Sequence, residues 1–193
     1  MEKNNQQPKP SGKKPLKIVL FGPESTGKTT LAEALAVHFN TSWSPEYMRE
    51  YLQKKWDIHK EGCTWEDLIP IAKGQLENEA YAEKKADRLV IYDTNILELK
   101  VYAEIYYNGK CPEEIKKQAL KKHYDFYFLL YIDTPWEADD LRDKPHEREM
   151  MFQRFKNELD TLKLPYQIIK GTFPERIKTV TEKVEKILEH DKK

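Results

Sequence analysis

The residues Gly22-Pro23-Glu24-Ser25-Thr26-Gly27-Lys28-Thr29 carry the spacing G-x-x-x-x-G-K-[ST], which is chemistry for holding phosphate. Two glycines let the backbone curl with no Cβ in the way, so several N–H groups can face one anion. Lys28 adds an ammonium that can reach the β- and γ-phosphates of a nucleoside triphosphate, and the Thr29 hydroxyl can ligate Mg²⁺. The flanks agree with the motif. Residues 16–21 are an apolar run that reads as a buried strand, and residues 30–39 have helical spacing. A strand entering and a helix leaving bring the positive end of a helix dipole to the phosphates. Gly22, Glu24, Ser25, Thr26, Gly27, Lys28, Thr29 and Thr30 are therefore the candidate ATP-binding residues.

A phosphate loop that uses a metal needs an acid. Asp93 ends the apolar run Leu89-Val90-Ile91-Tyr92. It is placed to hold Mg²⁺, directly or through water, or to bond a substrate hydroxyl. Asp133, which closes the strongest strand signal of the chain, competes for that role. Glu46-Tyr47-x-Arg49-Glu50-Tyr51 follows the second expected strand and sets acids, a guanidinium and two aromatic rings at the mouth of a sheet. Such a set can grip a ribose, stack a ring and accept the proton of a 5′-hydroxyl; it also suits an ordinary solvated amphipathic helix. Arg142 and Arg148 lie in a charge-dense segment where a lid would close, stabilise a transferring phosphoryl group and expel water. A solvated charged face is the alternative in a chain that is 34% charged. Trp43, Tyr47, Tyr81 and Tyr92 lie on segments near these positions. Most belong in a core, and one or two can sandwich a flat ring, a cationic ring gaining further from cation–π attraction.

Elements must position these groups. The spacing predicts strands at residues 16–21, 41–45, 88–93, 125–133 and 166–170. It predicts helices at 28–39, 46–55, 64–86, 95–107, 112–123, 136–142, 147–162 and 174–189. Thr64 and Asp67 have capping-box spacing at the head of the third helix, while Pro70 would kink that helix or delay its start. Alternating strands and helices imply an α/β P-loop three-layer sandwich with a five-stranded parallel sheet, covered on both faces. Ligands then bind beyond the C-terminal strand ends, which selects 22–30, 46–50, 93–95, 133–148 and 171–176. Residues 1–15 read as a polar lead-in and 16–193 as one domain with a lid around 139–148.

Composition narrows the partners. Lys+Arg and Asp+Glu both number 33, so there is no basic excess of the kind that binds nucleic acid. No apolar run has the length of a membrane span, and the N-terminus has no apolar core of a secretory signal. Cys63 and Cys111 read as reduced thiols of a cytoplasmic protein. The five histidines have no metal-ligand spacing. Nothing in the sequence sets an oligomeric state.

The phosphate loop, Phe39-Asn40-Thr41 and Glu46-Tyr47-x-Arg49-Glu50-Tyr51 together resemble the ribosylnicotinamide kinase domain of NadR-type proteins, within the P-loop kinase superfamily. Asp93-Thr94, Trp136-Glu137-x-Asp139-Asp140-Leu141-Arg142 and Lys163-Leu164-Pro165-Tyr166 continue the similarity. The resemblance implies ATP- and Mg²⁺-dependent phosphorylation of the 5′-hydroxyl of nicotinamide riboside, giving nicotinamide mononucleotide. On that reading Lys28, Asp93, Arg142 and Glu46 are catalytic, and Thr29 and Asp93 hold the metal. Arg142 and Arg148 join the ATP site. Glu46, Tyr47, Arg49, Glu50, Tyr81, Asp93 and Thr94 surround the riboside. NadR-type proteins often carry an adenylyltransferase domain with an H-x-G-H signature, which is missing here, so a kinase domain alone is expected. Where bifunctional members have a ring-contacting Trp this chain has Pro45; Trp43 could substitute, with Tyr81 on the other ring face. The alternatives are a kinase for another nucleoside or nucleotide, or a nucleotide-dependent regulator. A GTPase switch would need N-K-x-D, which is not present.

Overall fold

The computed structural model describes residues 14–137, 139–141 and 146–190. Arg142 and nearly all of the 1–15 lead-in therefore lie outside the described residues. Within them, five strands pair in parallel in the order β2-β3-β1-β4-β5: β1 (Leu16–Phe21), β2 (Ser42–Ser44), β3 (Leu89–Asp93), β4 (Phe126–Leu130) and β5 (Tyr166–Ile169). Seven helices are described: α1 (Lys28–His38), α2 (Tyr47–His59), α3 (Leu68–Lys85), α4 (Ile96–Tyr106), α5 (Glu113–Lys121), α6 (Arg148–Thr161) and α7 (Phe173–His190). The expected α/β sandwich is what forms.

Strand alternation divides the core in two. Phe21, Tyr92 and Leu129 face the helices that contribute Ile96, Ile115 and Phe155. Ile18, Leu20, Ile91 and Phe128 face Leu31 and Leu35 of α1 and Val180 and Val184 of α7. Each such side chain, fully buried, stabilises by about 1.5–3 kcal/mol, so the C-terminal strand ends form a stiff rim. β1 is central, and Leu20 pairs with Asp93 of β3. The phosphate loop therefore leaves the sheet directly beside that acid.

Two expectations change. Residues 136–142 are not helical where described: the Leu141 N–H donates to Asp139 Oδ1 at 2.9 Å instead of the i−4 carbonyl, and the Glu137 N–H is held by the Ser25 side chain. Pro70 does not kink α3: it is the third residue of that helix, where the N–H it lacks would have no intrahelical acceptor. A short 3₁₀ turn, Trp65–Asp67, precedes it, and the Thr64 N–H and hydroxyl both donate to Asp67 (2.7 and 2.9 Å). No described helix is long and apolar enough to cross a membrane.

Candidate active site

The loop between β1 and α1 is built by backbone conformations that side chains resist. Gly22 has φ 132°, and a Cβ there would come within 3.0 Å of the Leu130 carbonyl oxygen on β4. Ser25 and Gly27 also have positive φ (58° and 80°), Gly27 at the position preceding α1. The Thr26 hydroxyl donates to the Pro23 carbonyl at 2.8 Å and closes the curl. Lys28 is buried; its Nζ donates to the carbonyls of Gly22 (2.6 Å) and Pro23 (2.9 Å).

Three carboxylates surround that ammonium. The Thr29 hydroxyl donates to Asp93 Oδ2 at 2.6 Å. Oδ1 of Asp93 is buried and accepts no hydrogen bond among the described residues. Glu98, in the first turn of α4, lies 3.2 Å from Lys28 Nζ as an ion pair, and among the described residues its buried oxygens accept no well-aligned hydrogen bond. Burial pushes Asp93 up to about 7, helped by the Glu46 charge and opposed by Lys28. Burial pushes Glu98 up to about 8, against the pull of Lys28. Burial alone would depress Lys28, but Glu98, Glu46 and Asp93 outweigh it and hold the ammonium above the ordinary lysine value. Asp133 is not available for the metal role, because it pairs with Arg176 and accepts the Gly171 N–H at 2.6 Å. A hydroxyl and one carboxylate with a bare buried oxygen form the donor set expected for Mg²⁺ that takes its remaining ligands from phosphates and water.

A cavity of about 880 Å³ runs from the loop residues 24–30 past Glu46 and Arg49. Farther along, the wall becomes apolar and aromatic, with Met48, Leu52 and Trp56 from α2 facing Leu99 and Tyr102 from α4. Helical spacing explains this choice: Arg49, Leu52 and Trp56 share one face of α2, while Glu50 points to solvent and pairs with Lys54 at 2.5 Å. The Tyr47 N–H donates to Gln75 Oε1 at 2.9 Å, and its ring lies against Gly74, where a Cβ would fall on ring atoms. Thr94 lines a small recess of about 10 Å³ in which Glu46, Gln75, Asn95 and Glu98 meet the apolar Met48, Ile71 and Leu99.

Several expected riboside residues therefore sit elsewhere. Tyr47 and Glu50 do not line the cavity. Tyr81 is 62% exposed, past the head of α2, with Lys85 Nζ 4.2 Å from its ring centroid. Trp43 packs against the core on the α1 and α7 face of the sheet, and Tyr92 is core, its hydroxyl donating to Glu83 at 2.9 Å. Spacing did not single out Glu98, Gln75 or Tyr102. A lone acid inside the apolar stretch Ile96-Leu97-Glu98-Leu99 was the available signal.

The segment after β4 arches over the loop. The Thr134 hydroxyl donates to the Ser25 carbonyl at 2.7 Å, and the Glu137 N–H to Ser25 Oγ at 2.9 Å. Arg148 opens α6, stacks 5.7 Å from the Trp136 ring, and donates to the carbonyls of Thr134 (2.9 Å) and Ser25 (3.2 Å). Arg148 thus braces the loop backbone. Across the cavity, Arg49 Nη2 donates to Asp139 Oδ2 at 2.5 Å and ties α2 to the arch.

The family AAA_28, described as an AAA domain, matches residues 17–176. The chain is 32% identical over 127 residues to the trifunctional NAD biosynthesis/regulator protein NadR of Salmonella typhimurium and of Escherichia coli. Those matches cover 65% of this chain and 30% of each relative. Among solved structures, a NadR protein in complex with NR superposes with a TM-score of 0.70 at 22% identity, covering 83% of this chain and 47% of that one. Deoxyadenosine kinase from M. mycoides superposes with a TM-score of 0.69 at 14% identity, covering 89% of this chain and all of its own (100%).

Proposed function

We propose that this chain, which belongs to the AAA_28 family of AAA domains, is an ATP-dependent kinase for the 5′-hydroxyl of nicotinamide riboside. The observation that carries the reading is continuity. One cavity joins the phosphate loop to Glu46, Arg49 and an aromatic wall, so a triphosphate and a hydroxyl-bearing acceptor can meet end to end. The likeness to NadR supports the choice of acceptor.

On this reading the loop amides and Lys28 hold the triphosphate. Lys28 exchanges Glu98 and the loop carbonyls for the β- and γ-phosphates, where its charge offsets charge gathering in the transition state. Thr29 and Asp93 would hold Mg²⁺, which would supply charge neutralisation to the triphosphate. Asp93 is already engaged by Thr29; Glu46, on the cavity wall, is the group to orient the acceptor hydroxyl and accept its proton. Arg142 would add the lid cation. Tyr102 and Trp56 offer π-faces to a pyridinium ring. Cys63 and Cys111 are both free, which suits the reducing cytoplasm.

Trp43 and Tyr81 do not frame the cavity, and that observation favours a second reading, a different nucleoside acceptor at the same site. ATP turnover with and without nicotinamide riboside tests the proposal. Riboside-dependent ADP release with a mononucleotide product is expected. Equal turnover in both arms would replace the kinase with a nucleotide-dependent switch.

A further inference from the structure

Arg176 lies in the first turn of α7, away from the cavity wall, and is only 3% exposed. A buried guanidinium is costly unless its donors are matched, and here each nitrogen has an acceptor. Nε donates to the Gly171 carbonyl at 2.9 Å, and Nη1 to the Thr26 carbonyl at 2.6 Å. Nη2 donates to the Tyr131 carbonyl at 3.1 Å and to the Asp133 carboxylate. Asp133 is itself fixed by the Gly171 N–H. One side chain therefore joins the phosphate loop, the segment leaving β4 and the turn after β5.

The loop contact has a directional consequence. A peptide unit is planar and trans, so the carbonyl of one residue and the N–H of the next point opposite ways. A Thr26 carbonyl drawn back to a buried arginine turns the Gly27 N–H toward the cavity. A Cβ at Gly27 would meet no heavy atom within 4 Å, so the space beside that residue is open. The preceding peptide is treated likewise from the other flank, where Thr134 and Arg148 hold the Ser25 carbonyl.

We propose that Arg176 is a positioning residue of the phosphate site, which acts through the Thr26 carbonyl to aim the Gly27 N–H at a bound phosphate. The inference rests on the reading of residues 22–29 as a nucleotide site. ADP is titrated with Mg²⁺ and without riboside, so that the two can fail separately, and riboside is titrated in a second, independent experiment. Arg176→Lys keeps the charge but loses the fork that reaches three segments at once. It should weaken ADP binding about 10-fold, the scale of one lost charge-assisted bond, while riboside affinity stays within about 2-fold. In amide NMR spectra the Gly27 N–H of the wild type should shift on adding ADP, and that shift should shrink in the variant. Asp133→Asn, which alters one of the acceptors that hold Arg176, should give a smaller loss of the same kind. Equal ADP affinity and an equal Gly27 shift in wild type and Arg176→Lys would overturn the role of Arg176. So would parallel losses of ADP and riboside binding that follow a lowered Tm. Failure of the wild type to bind ADP would overturn the nucleotide site itself.

Discussion

Gly74→Ala probes how the acceptor side of the cavity is held. Gly74 lies within α3, where Ala is the better helix former by about 1 kcal/mol. Propensity alone therefore predicts a more stable protein. The structure predicts the opposite, because the added methyl would fall on the Tyr47 ring. That ring cannot swing away freely: its own N–H is held by Gln75, and Tyr51 lies 6.2 Å away, centroid to centroid. Overpacking of this kind costs about 1–3 kcal/mol. Set against the helix gain, the net loss is about 1 kcal/mol, which in a chain of this size lowers Tm by about 2–4 °C. The displaced first turn of α2 carries Arg49 and is preceded directly by Glu46, so the riboside KM should rise about 3- to 10-fold while the ATP KM holds. Calorimetry and steady-state kinetics on the same preparation read both effects. A Tm that rises by about 2–4 °C with an unchanged riboside KM would show that Tyr47 does not rest on Gly74.

Three further substitutions address the charged centre. Lys28→Ala should lower kcat at least ~10²-fold, the cost of one major transition-state contact, with an unaltered circular dichroism spectrum; near-normal turnover in the folded variant would remove Lys28 from the mechanism. Asp93→Asn should raise the Mg²⁺ concentration needed for half-maximal turnover, and an unchanged Mg²⁺ titration would take the metal away from Asp93. Glu98 carries a pKa of about 8 when folded against 4.5 as an ordinary glutamate. The protein therefore binds that proton more tightly when folded, and stability falls as pH rises from about 4.5 through about 8. Glu98→Gln should lose less Tm than the wild type between pH 6 and pH 9, and equal losses would mean that Glu98 is not held in this buried setting.

The phosphate loop was legible because its demands are local. Eight contiguous residues supply the turn, the cation and the hydroxyl, and Asp93 could be placed because a strand end is visible from an apolar run. Glu98 and Arg176 could not be placed in that way. Each is one polar residue in a helix, and its meaning arises only when α4 and α7 pack against a loop dozens of residues distant. Tyr81 was expected on one face of the ring as an aromatic on a segment near the site, and Asn78 of the same helix does reach the Pro45 carbonyl at 3.4 Å. But α3 continues past the head of α2, and Tyr81, nearly a turn farther on, meets Lys85 instead. Trp43 was misplaced by the two-residue period of a strand: its place in β2 was legible, but not which face of β2 the ring would take. Residues 136–142 had helical spacing, yet the Leu141 N–H turns back to Asp139, and bonds from Thr134 and Glu137 to Ser25 tie the segment to the phosphate loop. Tertiary contacts decided each of these cases.

The most direct measurement of the account is a parallel phosphorylation assay. The purified chain is given ATP and Mg²⁺ with nicotinamide riboside, uridine, cytidine or thymidine, and each product is identified by mass and by the position of its phosphate. A partly desolvated cation–π contact of ~1–2 kcal/mol favours a charged ring about 5- to 30-fold over a neutral one of similar shape. Nicotinamide riboside should therefore be converted to its 5′-monophosphate with the highest kcat/KM of the four. A higher kcat/KM for any of the pyrimidine nucleosides, or no phosphorylation of the riboside by a chain that binds ATP, would contradict the account.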